Sequence, residues 1–233
     1  MPRSVVLYTS DEVLLQLKRR LAEHFGPEKM KPYTCSFAHA SEAGARRVRI
    51  TELVPHSLAP ILNELVAGGQ TVPVSTADKD VCGASYEDLM QGADRFRRSA
   101  VLQFSSPTMM SLGGYSVSFP VLPLMLSHYI HVWNSLAGFK ITRAPELLEH
   151  VKMKDFKVSC VQSERGAGFQ GWITLEMEKG RSEEEIQAFN ALVDFAFYCG
   201  TGLHTDEGLG QTRRKPRHVT GDGQTRGAAA RAA

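Results

Sequence analysis

Apolar positions in the first part of the chain repeat in two ways, every second residue in short stretches and every third or fourth residue in longer ones. The short period predicts strands and the long period predicts helices. Strands are predicted at residues 4–8, 33–37, 46–53 and 70–74. Helices are predicted from a capping box at Thr9 and Glu12 to Gly26, and from residue 58 to Gly68. The order strand, helix, strand, strand, helix, strand is typical of a ferredoxin-like domain.

The same order of elements follows in the second part of the chain. Strands are predicted at residues 100–104, 158–162, 172–178 and 209–213. Helices are predicted at residues 122–136 and from a capping box at Ser182 and Glu185 to Gly200. We therefore predict an α+β protein made of two tandem ferredoxin-like (RRM-like) βαββαβ domains with a C-terminal glycine-rich loop. The domains are placed at residues 1–95 and 96–214, with a soft boundary near residues 91–98.

The 233 residues carry a formal net charge of only +2, so any surface for nucleic acid has to come from local clustering of basic residues. Residues 215–233 form a predicted disordered basic tail, which either has no role or attracts phosphate weakly. The sequence has no apolar run of about 18 residues and no signal-peptide pattern, so we expect no membrane span and a cytoplasmic location. The four scattered cysteines suit reduced thiols.

Common cofactor motifs are absent or lie in the wrong context. Gly166, Gly168 and Gly171 have dinucleotide-binding spacing, but a strand-like stretch follows them where that site needs a helix. The sequence contains no Walker lysine motif, no H-E-x-x-H and no evident metal cluster. We expect no cofactor and no metal site, so any hydrolysis would depend on side-chain acids and bases.

The stretch from Cys199 to Arg213 places four glycines between a helix end and a short strand. Glycine permits positive φ angles and close backbone approach, so successive amides can converge on an anion such as phosphate. The alternative is a purely structural turn in which Gly200 ends the helix. Both interpretations stay open at this point.

Residues 195–205 and 208–213 closely resemble the C-terminal glycine-rich signature of the CRISPR repeat-processing endoribonucleases of the RAMP superfamily. His204 stands where that signature usually has lysine. Other segments resemble family motifs in the same order: 31–36 (K-P-F-T-x-S), 47–53 (L-R-I-T-x-L), 102–108 (L-x-F-x-S-P-T), 133–134 (Trp-Asn) and 168–171 (a G-F-x-G turn). The resemblance spans nearly the whole chain, and its C-terminal motif is specific.

The resemblance implies metal-independent cleavage of CRISPR repeat RNA, in which the 2′-OH attacks and leaves 2′,3′-cyclic phosphate and 5′-OH ends. It implies that His24, at the end of the first helix, is catalytic and that Lys31 supports the phosphate. His39 is the rival histidine. Each of these side chains could instead have a structural or solvated role. Tyr33 either contributes its hydroxyl to the cleavage site or is only a half-buried strand residue.

Further RNA contacts are expected in the glycine-rich loop and on the strand at residues 46–53, where Arg47 and Arg49 alternate with apolar residues and form an open basic face. The predicted RNA-binding residues are Arg46, Arg47, Arg49, Gly200, Gly202, His204, Thr205, Gly208, Gly210 and Arg213. The histidines at 56, 128 and 131 are expected to be structural, and both tryptophans, Trp133 and Trp172, are expected to pack in the core. The alternative function is a non-catalytic subunit that holds repeat RNA in a CRISPR effector complex. Other CRISPR subunits and a second copy of the chain are further candidate partners.

Overall fold

The computed structural model describes residues 2–26, 31–36, 39–40, 46–67, 74–75 and 82–216. Its first part contains β1 (Arg3–Thr9), α1 (Asp11–Phe25), β2 (Tyr33–Cys35), β3 (His39–Ala40), β4 (Arg46–Glu52), α2 (Ala59–Ala67), β5 (Val74–Ser75), β6 (Cys82–Gly83) and α3 (Tyr86–Gln91). The four main strands lie in the order β2-β4-β1-β5, while β3 pairs with β4 and β6 pairs with β1. The glycines at 68–69, the predicted strand residues 70–73 and residues 217–233 of the predicted tail lie outside the described residues.

The second part repeats this plan with longer strands. It contains β7 (Ser99–Thr108), β8 (Met110–Leu112), β9 (Tyr115–Val117), α4 (Leu122–Leu136), α5 (Ala144–His150), β10 (Val151–Ser163), β11 (Gly166–Met177), α6 (Glu183–Cys199) and β12 (Thr212–Arg214). The sheet order is β10-β11-β7-β12. In both sheets the first and third main strands occupy the centre, as the split βαβ arrangement requires. The predicted fold of two tandem ferredoxin-like domains is therefore confirmed.

Helix α1 begins one residue later than the sequence pattern predicts. Ser10 is the N-cap, and its hydroxyl accepts a hydrogen bond from the Val13 amide at 3.3 Å. Thr9 instead ends β1 and is buried, so the predicted capping box at Thr9 is wrong. The helix ends as predicted at Gly26, whose amide donates to the Ala22 carbonyl at 3.0 Å. Its buried leucines at 14, 17 and 21 pack into the core of the first domain.

Helix α6 is mostly buried in the second domain. Ser182 and Glu185 form the predicted capping box at its start, and its residues Phe189 and Phe195 are fully buried. Trp133 on α4 packs against Phe195 and is 0% exposed, which confirms its predicted place in the core. The Gly-Phe-Gln-Gly segment at 168–171, predicted as a turn, lies inside β11.

Helix α3 has no counterpart among the predicted elements, and it packs on α6 although it precedes residue 95. The Tyr86 ring contacts the rings of Trp133 and Phe195, and its hydroxyl donates to the Leu53 carbonyl at 3.2 Å. Gln187 of α6 donates to a carbonyl of α3 at 2.8 Å. These contacts tie α3 to the second core, and the division of the chain at residue 95 stays a proposal.

The two domains meet where α6 ends. Thr34 of β2 donates to the Tyr198 carbonyl at 2.8 Å, and Arg49 of β4 is buried. The Arg49 guanidinium lies 4.1 Å from the centre of the Phe197 ring and donates to the Gln211 side chain. Arg49 is 6% exposed, so the prediction that it lies on an open basic face is wrong. Its charge instead helps to join the domains.

The four cysteines all lie in described segments, and none of them forms a disulfide there. Among the described residues, no helix is both long enough and apolar enough to cross a membrane.

Candidate functional site

The glycine-rich loop that joins α6 to β12 lies between the two domains. On one side it follows the end of β7, because the Leu203 amide donates to the Met109 carbonyl at 2.8 Å and the Gly210 amide donates to the Pro107 carbonyl at 2.9 Å. On the other side, the amide of the last β2 residue donates to the Thr205 carbonyl at 2.8 Å. The loop is therefore fixed by both domains.

Two of the loop glycines are required by close backbone contacts. Gly202 has φ +82°, and a Cβ added there would lie 2.0 Å from the Met109 carbonyl oxygen. Gly210 has φ +65°, and its Cβ would lie 2.1 Å from the Thr201 carbonyl oxygen. Most loop amides donate hydrogen bonds within the protein. The glycines thus serve a structural turn. Fewer loop amides are left to bind an anion than the number of glycines suggests.

Charged groups concentrate around Glu207 of the loop. Arg165, at the turn between β10 and β11, donates to both carboxylate oxygens of Glu207, at 2.6 and 2.8 Å. His204 has φ +57° and places its Nδ1 3.5 Å from the same carboxylate. Partial burial opposes ionisation, but Arg165 and His204 outweigh it and lower the pKa of Glu207. Glu207 therefore partly neutralises two basic groups at the loop surface.

The C-terminal end of α1 carries the predicted catalytic histidine. His24 is exposed in the last turn, and its ring meets the Phe25 ring edge-on at 4.8 Å between centroids. Lys31 lies at the same helix end, where its ammonium donates to the Gly26 carbonyl. Tyr33 is buried, with its ring centre 5.1 Å from that of Phe25. The structure therefore brings His24 and Lys31 to one end of one helix.

A cavity of about 240 Å³ opens between α4, the glycine-rich loop and β2. Lys31, His131 and His204 are among the residues that line it. His131 is exposed, although a structural role is predicted for it. The signal that could have identified it is its spacing of three residues from His128, because residues three apart share one helix face and His128 lines the same cavity.

A larger cavity of about 750 Å³ lies between α1, the glycine-rich loop and the turn of the β10–β11 hairpin. Its charged lining comprises the basic residues Lys18, Arg46 and Arg165 and the acidic residues Asp11, Glu164, Asp206 and Glu207. Lys18 is not among the predicted site residues. A lysine on a helix surface is usually only solvated, and its position beside the loop follows from the docking of the two domains, which a local sequence pattern does not reveal.

The predicted RNA-binding arginines lie in different environments. Arg46 lines the larger cavity and pairs with Asp11 at 2.7 Å. Arg47 is half-buried, and Arg213 is exposed on β12. The rival catalytic residue His39 lies on β3, where its backbone pairs with that of Arg47.

The other loop residues that are predicted to bind RNA also help to shape the turn. Gly200 ends α6 with φ +67°, and Gly208 has φ +107°. The Thr205 side chain lies against Gly200, within 2.9 Å of where a Cβ would be placed. Within the described ranges, no group of three His, Cys, Asp or Glu side chains could hold a metal ion.

His128 gives the second domain a specific sensitivity to acid. Burial, partly offset by a hydrogen bond with the Gly200 backbone, lowers the pKa of the imidazole from 6.5 to about 4. The unfolded chain therefore binds the proton first as the pH falls, and stability is lost between about pH 6.5 and about pH 4. We expect this group to remove about 3 kcal/mol of unfolding free energy across that window.

Urea unfolding of the protein and of His128→Gln, at a neutral and at an acidic pH, measures this contribution. The variant should lose less stability than the parent between the two conditions. An equal loss in both proteins would show that His128 does not carry the effect.

Comparison with known proteins confirms the resemblance seen in the sequence. Residues 102–212 match the sequence model of the family described as CRISPR-associated endoribonuclease Cas6. No curated protein matches the chain. Among solved structures, the product complex of the Cas6 protein TTHA0078 is 23% identical, with a TM-score of 0.79 over 92% of this chain and 99% of that one. Its substrate-mimic complex is 24% identical, with a TM-score of 0.77 over 92% of this chain and 99% of that one.

Thermus thermophilus Cas6 (TTHB231) is 22% identical, with a TM-score of 0.73 over 92% of this chain and 98% of that one. These likenesses cover both ferredoxin-like domains, and at such identities they establish the fold. The segment matched by the family runs from β7 to the start of β12 and includes the whole glycine-rich loop. Residues 102–212 therefore match the CRISPR-associated endoribonuclease Cas6 family by sequence, and the chain as a whole has the fold of solved Cas6 proteins.

Proposed function

We propose that this protein binds CRISPR repeat RNA and cleaves precursor transcripts into guide RNAs. The observation that carries the proposal is the family match over residues 102–212, whose glycine-rich loop is fixed against both domains. The similar TTHA0078 protein has been solved as a product complex and as a substrate-mimic complex, which supports RNA processing by this chain as well. A cytoplasmic location is part of the same proposal.

The proposed chemistry uses side chains. A base removes the 2′-OH proton, an acid protonates the leaving 5′-oxygen, and a cation stabilises the charge of the phosphorane. His24 is exposed at the end of α1 and suits the proton transfers, because imidazole titrates near neutral pH. Lys31 lies at the same helix end and is the proposed cation. His39 stays the rival base.

Tyr33 is a poor general base in this arrangement. Burial and the nearby Cys35, Asp206 and Glu207 raise the pKa of its hydroxyl well above the ordinary value. The hydroxyl therefore stays protonated at neutral pH and can act only as a hydrogen-bond donor or acceptor.

The proposed RNA path passes the glycine-rich loop. Lys31 and His204 face one cavity, and Lys18 and Arg46 face the other, so basic groups lie on both sides of the loop. Phosphate contacts of this kind position RNA without reading its sequence. Other proposed contacts are Arg47, His131, Gly200, Gly202, Thr205, Gly208, Gly210 and Arg213. Further CRISPR subunits and a second copy of the chain are proposed partners.

One observation favours the alternative, a subunit that holds repeat RNA without cutting it. His24 is absent from the lining of both cavities beside the loop, as far as the described residues define them. An RNA held within those two cavities alone would therefore not contact the imidazole. Cleavage distinguishes the two functions directly.

The deciding experiment incubates the protein with the repeat RNA of its own genome in excess chelator. We expect a single cut, with a 2′,3′-cyclic phosphate on one fragment and a 5′-hydroxyl on the other. Tight binding without a cut would support the non-catalytic alternative. A cut that needs added divalent metal would keep the nuclease and remove the proposed chemistry.

A further inference from the structure

The second sheet has one face on which an aromatic residue lies among polar ones. The strand register places Lys157 of β10, Trp172 of β11 and Gln103 of β7 side by side. Arg213 of β12 pairs with Gln103 and completes the row. The predicted core position of Trp172 is wrong, because its side chain is partly exposed, whereas the next residue, Ile173, is 0% exposed and points to the core.

The next row of the same face is polar. Ser159 pairs with Gln170, whose side-chain amide donates to the Ser105 carbonyl at 3.1 Å. A hollow of about 620 Å³ is lined by residues of both rows, Trp172 among them. Gly171 allows the strands to approach there, since a Cβ at this residue would lie 2.0 Å from a β10 carbonyl oxygen. The indole therefore borders a shallow, open hollow.

The charge around Trp172 favours an anionic ligand. Lys157 and Arg213 stand at the two ends of its row, and both are exposed. The row on the other side holds one acidic residue, Asp155, which pairs in register with Thr174. One cation on each side of an accessible indole suits a ligand that has both flat rings and phosphates.

We propose that this face binds a single-stranded segment of RNA, with a base stacked on Trp172 and phosphates held by Lys157 and Arg213. The ligand has to be single-stranded, because paired and stacked bases do not offer a free ring face. Gln103 and Gln170 supply side-chain amides that can form hydrogen bonds with base edges beside the stacked ring. The inference rests on the proposed function and adds a second contact surface to it, on a sheet face separate from the end of α1.

Intrinsic fluorescence tests the platform, because the chain has two tryptophans and Trp133 is 0% exposed. A change on binding therefore reports Trp172. We expect a single-stranded RNA octamer to quench the emission, while an RNA duplex of the same composition does not. Trp172→Ala should weaken octamer binding roughly 5- to 150-fold, measured with a labelled octamer. Trp172→Phe should keep most of the affinity, since an aromatic ring is retained.

The matched control is Thr174→Ala, on the same strand and the same face one row away. It should bind the octamer like the parent protein. Octamer binding without quenching, or equal affinity for Trp172→Ala and the parent, would overturn the platform. Failure to cleave repeat RNA with quenching retained would remove the proposed function and leave the platform standing, so the two failures can be told apart.

Discussion

His24→Ala should lower the rate of repeat RNA cleavage by roughly 10²- to 10⁴-fold, the usual contribution of a positioned acid or base. The imidazole is exposed at the end of α1, where its ring contact is an edge contact with Phe25, so its removal should leave the fold intact. RNA affinity should change little, because the substitution leaves the proposed phosphate contacts in place, including Lys31 at the same helix end. Single-turnover cleavage in excess chelator, with affinity measured separately, checks both expectations.

His56→Asn is the matched control, since His56 is another exposed histidine of the first domain. Its φ of +60° makes asparagine a better replacement than alanine, because asparagine tolerates the left-handed region. The control should cleave at the parent rate. If His24→Ala also cleaves at that rate while His39→Ala does not, the catalytic histidine is His39 and our assignment is wrong.

Local signals in the sequence are enough to predict the order of elements. The capping box at Ser182 and the helix-ending glycines at 26 and 200 act within a few residues, so they can be recognised without knowledge of the fold. Helix α3 is missed although Ser85 and Asp88 form a capping box at its start, because its six residues are too few to show a helical period. A neighbouring serine, Ser10 rather than Thr9, is the cap of α1 because β1 continues through Thr9.

The environment of the basic residues could not be predicted, because it depends on how the domains dock. Arg49 and Gln211 are 162 positions apart, and their contact buries a side chain that alternation alone places on an open face. Trp172 is the opposite case, because a core position is predicted for it and its side chain is partly exposed. Its alternation with Ile173 is evident in the sequence, but the side that faces the core depends on the pairing of β11 with β7.

Sequence patterns also leave open whether the glycines of the loop bind an anion or only shape a turn. The hydrogen bonds of Leu203 and Gly210 to the end of β7 favour the turn as their first role. The two interpretations are compatible, since a rigid loop is a better platform for RNA than a mobile one. The shape of the loop is thus the feature on which the proposed site depends most strongly.

Gly202→Ala should disrupt that shape. Its φ of +82° is unfavourable for alanine, and the added Cβ would lie 2.0 Å from the Met109 carbonyl oxygen, so the backbone has to move. The conformational strain alone costs about 1–3 kcal/mol, which corresponds to a melting temperature roughly 2–12 °C lower for a chain of this size. Displacement of the loop should also weaken RNA binding and cleavage together. Thermal unfolding and the chelator cleavage assay measure the two effects.

Gly138→Ala is the control, because a Cβ at Gly138 meets no described atom within 4 Å. The same glycine-to-alanine change should there leave the melting temperature and the cleavage rate close to those of the parent. If Gly202→Ala loses stability but cleaves and binds RNA normally at a temperature where it is folded, the loop serves only the fold. RNA would then be held by the cavity walls, chiefly Lys18 and Lys31, rather than by the loop between them.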